Sequence, residues 1–228
     1  ISKWGNTDRY WRESATAIAA MYFLMQGTPF IYQGQEIGMT NTKFSSIEDF
    51  DDVWSKNRYH SMKKEGMTDE AILGWLSLTS RDNARTPMQW DATTNAGFST
   101  EKPWLKVNPN YTEINVQAAL NEPDSVFFHY QKLIKLRKEQ PIMTYGQYIP
   151  LLEDHPDVFA YLRAQNDDRI VVINNFSAKK VTLSLPAEIQ YIKGQSLISN
   201  YQPHHSLADE ITLQPYESFA VAYKQPMA

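Results

Sequence analysis

The chain has 228 residues, with 22 Lys and Arg against 26 Asp and Glu, a formal net charge of −4 and no cysteine. Phosphate binding needs clustered cations, and here they are scattered, so no nucleic-acid partner is expected; without cysteine there is no disulfide, thiolate metal site or Cys nucleophile. The longest apolar run, Ala15 to Met25 interrupted by Thr16, is shorter than the roughly 20 residues that cross a bilayer, so no membrane partner is expected.

The length suits one large domain or two modest ones. Because the chain opens on Ile1 and not on Met, the function read here is expected to belong to a longer protein. The absence of cysteine is compatible with a reducing cytoplasm, the compartment expected.

In chain order, Ile18, Met21, Tyr22 and Met25 recur at helical spacing and predict a helix from Arg9 to Gln26, with Asp8 as N-cap and Gly27 and Pro29 as its stop. Pro29 to Tyr32 is apolar without alternation, which predicts a strand covered on both faces in a parallel sheet. The polar, glycine-rich run Gln33 to Gly38 would then lie at the strand's C-terminal end, where α/β folds place ligands. Glu36 there reads either as a ligand or, more commonly, as a carboxylate accepting backbone N–H groups. Ile47 to Lys64 and Asp69 to Ser80 read as two helices joined through Gly66.

The run Arg81-Asp82-Asn83-Ala84-Arg85-Thr86-Pro87-Met88-Gln89-Trp90, followed by Asn95-Ala96-Gly97-Phe98, reads as loop. Its cations, amides and indole suit the hydroxyls and flat face of a sugar. An equally good reading has Arg81 and Arg85 tying down the loop and Trp90 packed as core. Asp124 is a candidate cap for a helix with Val126, Tyr130, Leu133 and Ile134 on one face. From about Thr144 the pattern becomes short β runs: 147–152, 158–164, 170–176, 181–185, 191–198, 211–213 and 218–223. That spacing predicts an antiparallel β-sandwich, with domains at 1–142 and 143–228.

Glycoside hydrolysis needs two carboxyl groups, about 5 to 5.5 Å apart in retaining enzymes. Glu36, Asp51, Asp52, Asp82 and Asp91 are on offer; Asp51 and Asp52 are adjacent, diverge, and read as solvated helix charges. His60, His129 and His155 are isolated and His204-His205 are neighbours, so no metal site is expected. No phosphate loop or nucleophile elbow occurs, and no cofactor is expected.

Four segments carry a resemblance: Gly27 to Asn41, Arg81 to Trp90, Asn95 to Phe98, and Val107-Asn108-Pro109-Asn110-Tyr111 with Ile114-Asn115-Val116. They closely resemble the α-amylase superfamily, glycoside hydrolase family thirteen, with oligo-1,6-glucosidases and dextran glucosidases as the nearest subgroup. The resemblance implies the last part of a (β/α)8 barrel followed by a C-terminal β domain. Tyr10 to Gln26 would be the seventh helix, Thr28 to Tyr32 the eighth strand, and 41–124 the insertion after it. The family's three catalytic carboxylates would all precede Ile1, so no catalytic residue is assigned and the chain alone is expected to be inactive.

Arg81 matches the family arginine that contacts the glucosyl unit in the −1 subsite and pairs with an Asp from the first part of the barrel, which would precede Ile1, while Arg85 looks structural. Where most close relatives read Asp-Asp-Ile-Glu, this chain reads Asp51-Asp52-Val53-Trp54. The resemblance therefore puts Trp54 on the acceptor side in place of a carboxylate, able to stack but not to accept strongly, or simply packed on the loop. The implied partner is an oligosaccharide, and the implied activity is that of a retaining α-glucosidase acting on α-1,6 or related short α-glucosides. Trehalose-6-phosphate hydrolase and sucrose isomerase are the alternatives within the family. Outside it stands a non-catalytic carbohydrate-binding or transporter-associated relative.

Overall fold

The computed structural model describes residues 1–225, and the chain gathers into two compact units. One unit comprises Ile1, Gly5–Ile31 and the chain from Asp124 onward; the other comprises Ser2–Trp4 and Tyr32–Pro123.

In the first unit, helix α1 spans Trp11–Phe23, shorter than its apolar period suggests. Asp8 does not cap it. The N-cap is Tyr10, without a side-chain bond, and the turn before it is held by Asn6, whose Oδ1 accepts from the amides of Asp8 at 3.0 Å and Tyr10 at 3.1 Å. The buried face is also not the expected one: Ala15, Ala19, Ala20, Phe23 and Leu24 are buried, whereas Ile18, Met21, Tyr22 and Met25 are half-buried. Small side chains let the helix backbone lie close to its neighbours, so the alanine stripe packs best.

The strand expected at Thr28 to Tyr32 does not form. The segment has no ladder partner among the described residues, and Phe30 is 82% exposed. A buried parallel strand exists only between neighbours that supply its hydrogen bonds, and no other segment described here does so.

In the second unit, α2 (Val53–Lys64) and α3 (Asp69–Thr79) are joined through Gly66, and α4 (Val116–Asn121) follows the loops. Each has a side-chain N-cap: Asp52, Thr68 and Asn115 accept from the amides of Ser55, Ala71 and Ala118. Ile47–Asp49 is a separate 3-10 turn rather than the start of α2. Phe44, Phe50, Met62, Ile72 and Leu76 form a small core of their own.

Back in the first unit, α5 covers Val126–Glu139 and α6 Ile142–Tyr145. The cap of α5 is Ser125 rather than Asp124, and its buried face is Val126, His129, Tyr130 and Leu133, with Ile134 turned outward.

The strands are β1 (Gln147–Leu151), β2 (Val158–Gln165), β3 (Asp168–Asn175), β4 (Val181–Ser184), β5 (Ile192–Lys193), β6 (Gln195–Ser199), β7 (Ser206–Leu207), β8 (Glu210–Leu213) and β9 (Ser218–Lys224). A five-stranded antiparallel sheet runs β1-β2-β3-β9-β6, with the antiparallel pairs β4-β8 and β5-β7 beside it. Alternation assigns the two faces of the large sheet. Tyr161, Ile170, Val172 and Ala220 pack with α1 and α5, while Val158, Ala160, Leu162, Val171, Ile173, Phe219 and Val221 pack with Leu183, Leu207 and Leu213 of the small pairs. The antiparallel sandwich expected from the short β runs is therefore present, with helices on its outer face.

Candidate functional site

The loop from Arg81 to Phe98 belongs to the second unit and is built largely out of its own polar groups. Ser80, the last residue before it, accepts from the amide of Asp82 at 3.2 Å and so starts the 3-10 turn Arg81–Ala84. The buried carboxylate of Asp82 then reaches back: Oδ2 accepts from the amides of Asp51 at 2.8 Å and Asp52 at 2.9 Å, and Arg85 Nη1 sits 3.3 Å from Oδ1. Arg85 has the structural role expected of it.

The asparagines and glutamine of the motifs bracket backbone. Asn83 donates to the carbonyl of Ser77 at 2.9 Å and accepts from the amide of Thr42 at 3.2 Å. Asn108 donates to the carbonyl of Thr40 at 3.0 Å, and Asn110 to Thr40 Oγ1 at 2.9 Å. Gln89, fully buried, donates to Asn110 Oδ1 and to the carbonyl of Ile114. Segments distant in sequence are therefore knitted to one another by amide side chains. Asn95, Ala96 and Gly97 all have positive φ (56°, 59° and 65°), a left-handed turn in which the carbonyl of Ala96 accepts from the amides of Trp90 at 2.9 Å and Asp91 at 3.2 Å. Trp90 is half exposed, so it is not packed as core.

Against this scaffold Arg81 stands apart. Its side chain is 63% exposed, and Nη2 donates to Asp52 Oδ1 at 2.5 Å, leaving Nε and Nη1 without a protein partner among the described residues. Asp52 is not a solvated helix charge. It is 2% exposed, caps α2, and its Oδ2 accepts from Ser55 N at 3.2 Å and Ser55 Oγ at 2.8 Å. Burial works to raise its pKa, but the hydrogen bonds from Arg81 and Ser55 and the charge of Arg81 outweigh it and hold the carboxyl below its ordinary value. An Asp three residues ahead of Ser at a helix start was the signal in the sequence, missed because the helix was expected to begin at Ile47.

Asp51 is indeed solvated; it accepts from Trp104 Nε1 at 3.0 Å and faces Lys56 at 3.7 Å. Asp91 is tied to the amide of Thr93 at 2.8 Å. Glu36 lies in the 3-10 turn Gln35–Ile37, between left-handed Gly34 and Gly38. Its Oε2 is buried and accepts from no described group, so the turn does not satisfy that oxygen in the way expected. Trp54, 44% exposed, lies two residues beyond Asp52, with its ring 5.7 Å from that of Trp75 in a tilted arrangement. Arg81 and Asp52 thus meet at the start of α2, while the ring of Trp54 lies near that of Trp75. A charge-balanced donor fork suits a neutral, hydroxyl-rich ligand. No group of His, Asp and Glu suited to a metal occurs among the described residues.

Comparison with known proteins gives a consistent result. The family described as alpha amylase, catalytic domain, matches residues 1–146, and the alpha-amylase SusG C-terminal domain matches residues 158–219. The chain is 44% identical over 225 residues to an oligo-1,6-glucosidase of Bacillus cereus, covering 98% of this chain and 40% of that protein. It is 45% identical to a trehalose-6-phosphate hydrolase of Bacillus subtilis, covering 99% of this chain and 40% of the relative. Among solved structures, the trehalose-6-phosphate hydrolase of Bacillus licheniformis superposes with a TM-score of 0.94 at 42% identity, over 99% of this chain and 41% of that one. An isomaltulose synthase of Erwinia rhapontici NX5, solved with sucrose, superposes with a TM-score of 0.89 at 40% identity, over 99% and 41% of the two chains. The chain thus spans about two fifths of the length of these relatives. On these matches it belongs to the alpha-amylase family, of which it carries the later part of the catalytic domain and the C-terminal β domain.

Proposed function

We propose that the whole protein is a retaining α-glucosidase acting on α-1,6-linked or related short α-glucosides, and that this chain supplies one wall of its sugar pocket. In this reading residues 1–142 are the end of the catalytic barrel and 143–228 the C-terminal β domain, the last three residues lying outside the described ones. Arg81 holds the non-reducing glucosyl unit, and Trp54 lines the acceptor side. The carrying observation is that Arg81 is turned to solvent with donors to spare, while the polar groups around it are consumed in holding the loop.

The chemistry requires two carboxyl groups poised across a glycosidic bond. The family resemblance puts the reacting carboxylates in the remainder of the protein, and in keeping with this Asp52 and Asp82 are buried and committed as acceptors. The protein is placed in the cytoplasm, in keeping with the lack of cysteine; no helix among the described residues is long and apolar enough to cross a membrane. Replacing Arg81 by Ala in the full-length protein is expected to lower kcat/KM for isomaltose by about a hundredfold through lost positioning. Unchanged kinetics would reject the assignment, and turnover of a chromogenic α-glucoside by the 228-residue chain alone would reject the division of labour.

A second reading, trehalose-6-phosphate hydrolase or sucrose isomerase, is supported by relatives of those kinds at comparable identity, and Trp54, standing where most close relatives carry Glu, leaves the α-1,6 preference open. Assaying the full-length protein on isomaltose, trehalose 6-phosphate and sucrose separates the three. A protein inactive on all of them yet binding isomaltose would be a carbohydrate-binding or transporter-associated relative.

A further inference from the structure

A cavity of about 330 Å³ lies in the first unit, where α5 passes into α6 beside the ends of β2, β3, β9 and β6. Its volume falls within the range of small-ligand sites. Strand register builds its floor. Gln165 pairs with Asp168, Asp168 with Lys224 and Gln195 with Ala222, and directly opposed residues share a face. Lys224 and Ala222 are two apart on β9, so all five stand on the face of the large sheet that packs with α1 and α5. Three strand spacings put the backbones of Gln165 and Gln195 roughly 14 Å apart. Side chains reaching in from both strands narrow this to about the width of one sugar ring. Between them Leu197, Ala222, Ile142 and Ile170 supply an apolar lining.

The charged groups at the rim already meet protein partners. Lys224 Nζ lies 2.6 Å from Asp168 Oδ1, and Arg169 Nη1 donates to the carbonyls of Asn166 at 2.6 Å and Asp168 at 2.8 Å. The side-chain amides of Gln140, Gln165 and Gln195 have no hydrogen-bond partner among the described residues. Each offers two donors and an acceptor. We propose that this cavity binds a pyranose of one or two units, its hydroxyls on the three amides and the C–H face of its ring on Leu197 and Ala222. The site holds sugar and performs no chemistry, because the carboxylate in its lining, Asp168, is paired with Lys224. Every residue of the site belongs to the first unit, so the proposal goes beyond the reading of Arg81 and does not rest on it.

The test uses the full-length protein, as parent and as the double variant Gln165→Leu with Gln195→Leu. Equilibrium dialysis against labelled glucose is expected to give one bound equivalent fewer per chain in the variant. Inorganic phosphate at equal concentration should leave the bound glucose in the parent unchanged, and a crystal of the parent soaked in glucose should show the sugar against the two glutamines. If the double variant folds poorly, Gln195→Ala, which only trims an exposed side chain, takes its place; it should weaken the site about fivefold, the scale of one neutral hydrogen bond. Equal glucose binding in parent and variants would overturn the proposal. So would displacement by phosphate, which would make the cavity an anion site, or a full-length structure in which another stretch of the protein fills it. A parent that lacks activity on isomaltose yet loses one glucose equivalent in the variant would remove the proposed function and leave this site standing.

Discussion

Arg163 Nη1 lies 2.9 Å from the carbonyl oxygen of Leu24, the residue that ends α1. The same guanidinium donates to the carbonyls of Met143 at 3.0 Å and Gly146 at 2.6 Å, and Arg163 is fully buried. Nearby, Arg137 donates to the carbonyls of Phe23 and Met25, and Tyr161 Oη to that of Met21. The last carbonyls of a helix have no partners within it and carry partial negative charge. Two arginines and a tyrosine therefore cap α1 from the side of the sheet and α5, and the capping needs no carboxylate.

Removing Arg163 strands several buried carbonyls at once. Arg163→Met is expected to destabilise the first unit by about 3 kcal/mol, since an unmet buried acceptor costs roughly 1 to 3 kcal/mol. Arg163→Lys should recover only part of this, because an ammonium lacks the planar fork. Urea denaturation midpoints of the parent and the two variants check both.

His129 is buried on α5, and its Nε2 meets no described group. Burial, with the charges of Lys132 and Arg12 adding to it, depresses its pKa from 6.5 to about 3. A folded-state pKa below the unfolded one means that the unfolded chain takes up the proton first. The stability held at neutral pH is therefore eroded as pH falls through 6.5 towards 3. At about pH 5 the loss from this residue is about 2 kcal/mol relative to neutral pH. His129→Gln should remove about 2 kcal/mol of the stability lost between neutral pH and pH 5, and an unchanged loss would place the sensitivity elsewhere.

Phe30 presents an exposed ring on a segment that has no ladder partner among the described residues. Such a segment is a template for pairing with another chain. The 228-residue chain produced alone is expected to self-associate as concentration rises, and Phe30→Lys to reduce this. Light scattering against concentration measures it; identical curves would mean that this segment is not the cause.

Trp54 in place of a carboxylate predicts a weak preference for the α-1,6 linkage. In the full-length protein, Trp54→Glu is expected to raise kcat/KM for isomaltose relative to trehalose 6-phosphate or sucrose by about tenfold, the scale of a charge-assisted hydrogen bond. A ratio that does not move would leave Trp54 as a packing residue against Trp75.

Periodicity located α3, α5 and most strands to within a few residues and the end of α2, though not its start, because hydrophobic alternation acts over a single turn or strand. The four motifs identified the family for the same reason: their information lies in residue type and order. Three features were not legible in the linear chain. The run 191–198 divides into β5 and β6 at Gly194, where a side chain would collide with the carbonyl of Ala222, and β7 exists only as the partner of β5. The buried stripe of α1 is its alanines, since close packing rewards small residues over larger apolar ones when neighbouring backbones come near. Asp52 has the composition of a surface charge but is the buried anchor of Arg81. Burial and ion pairing are decided by residues far away in the chain, whereas periodicity and capping are decided by residues next door. The sequence by itself determined the elements, the family and Arg81 as a candidate contact; the tertiary structure decided which groups are buried and which one holds Arg81 in place.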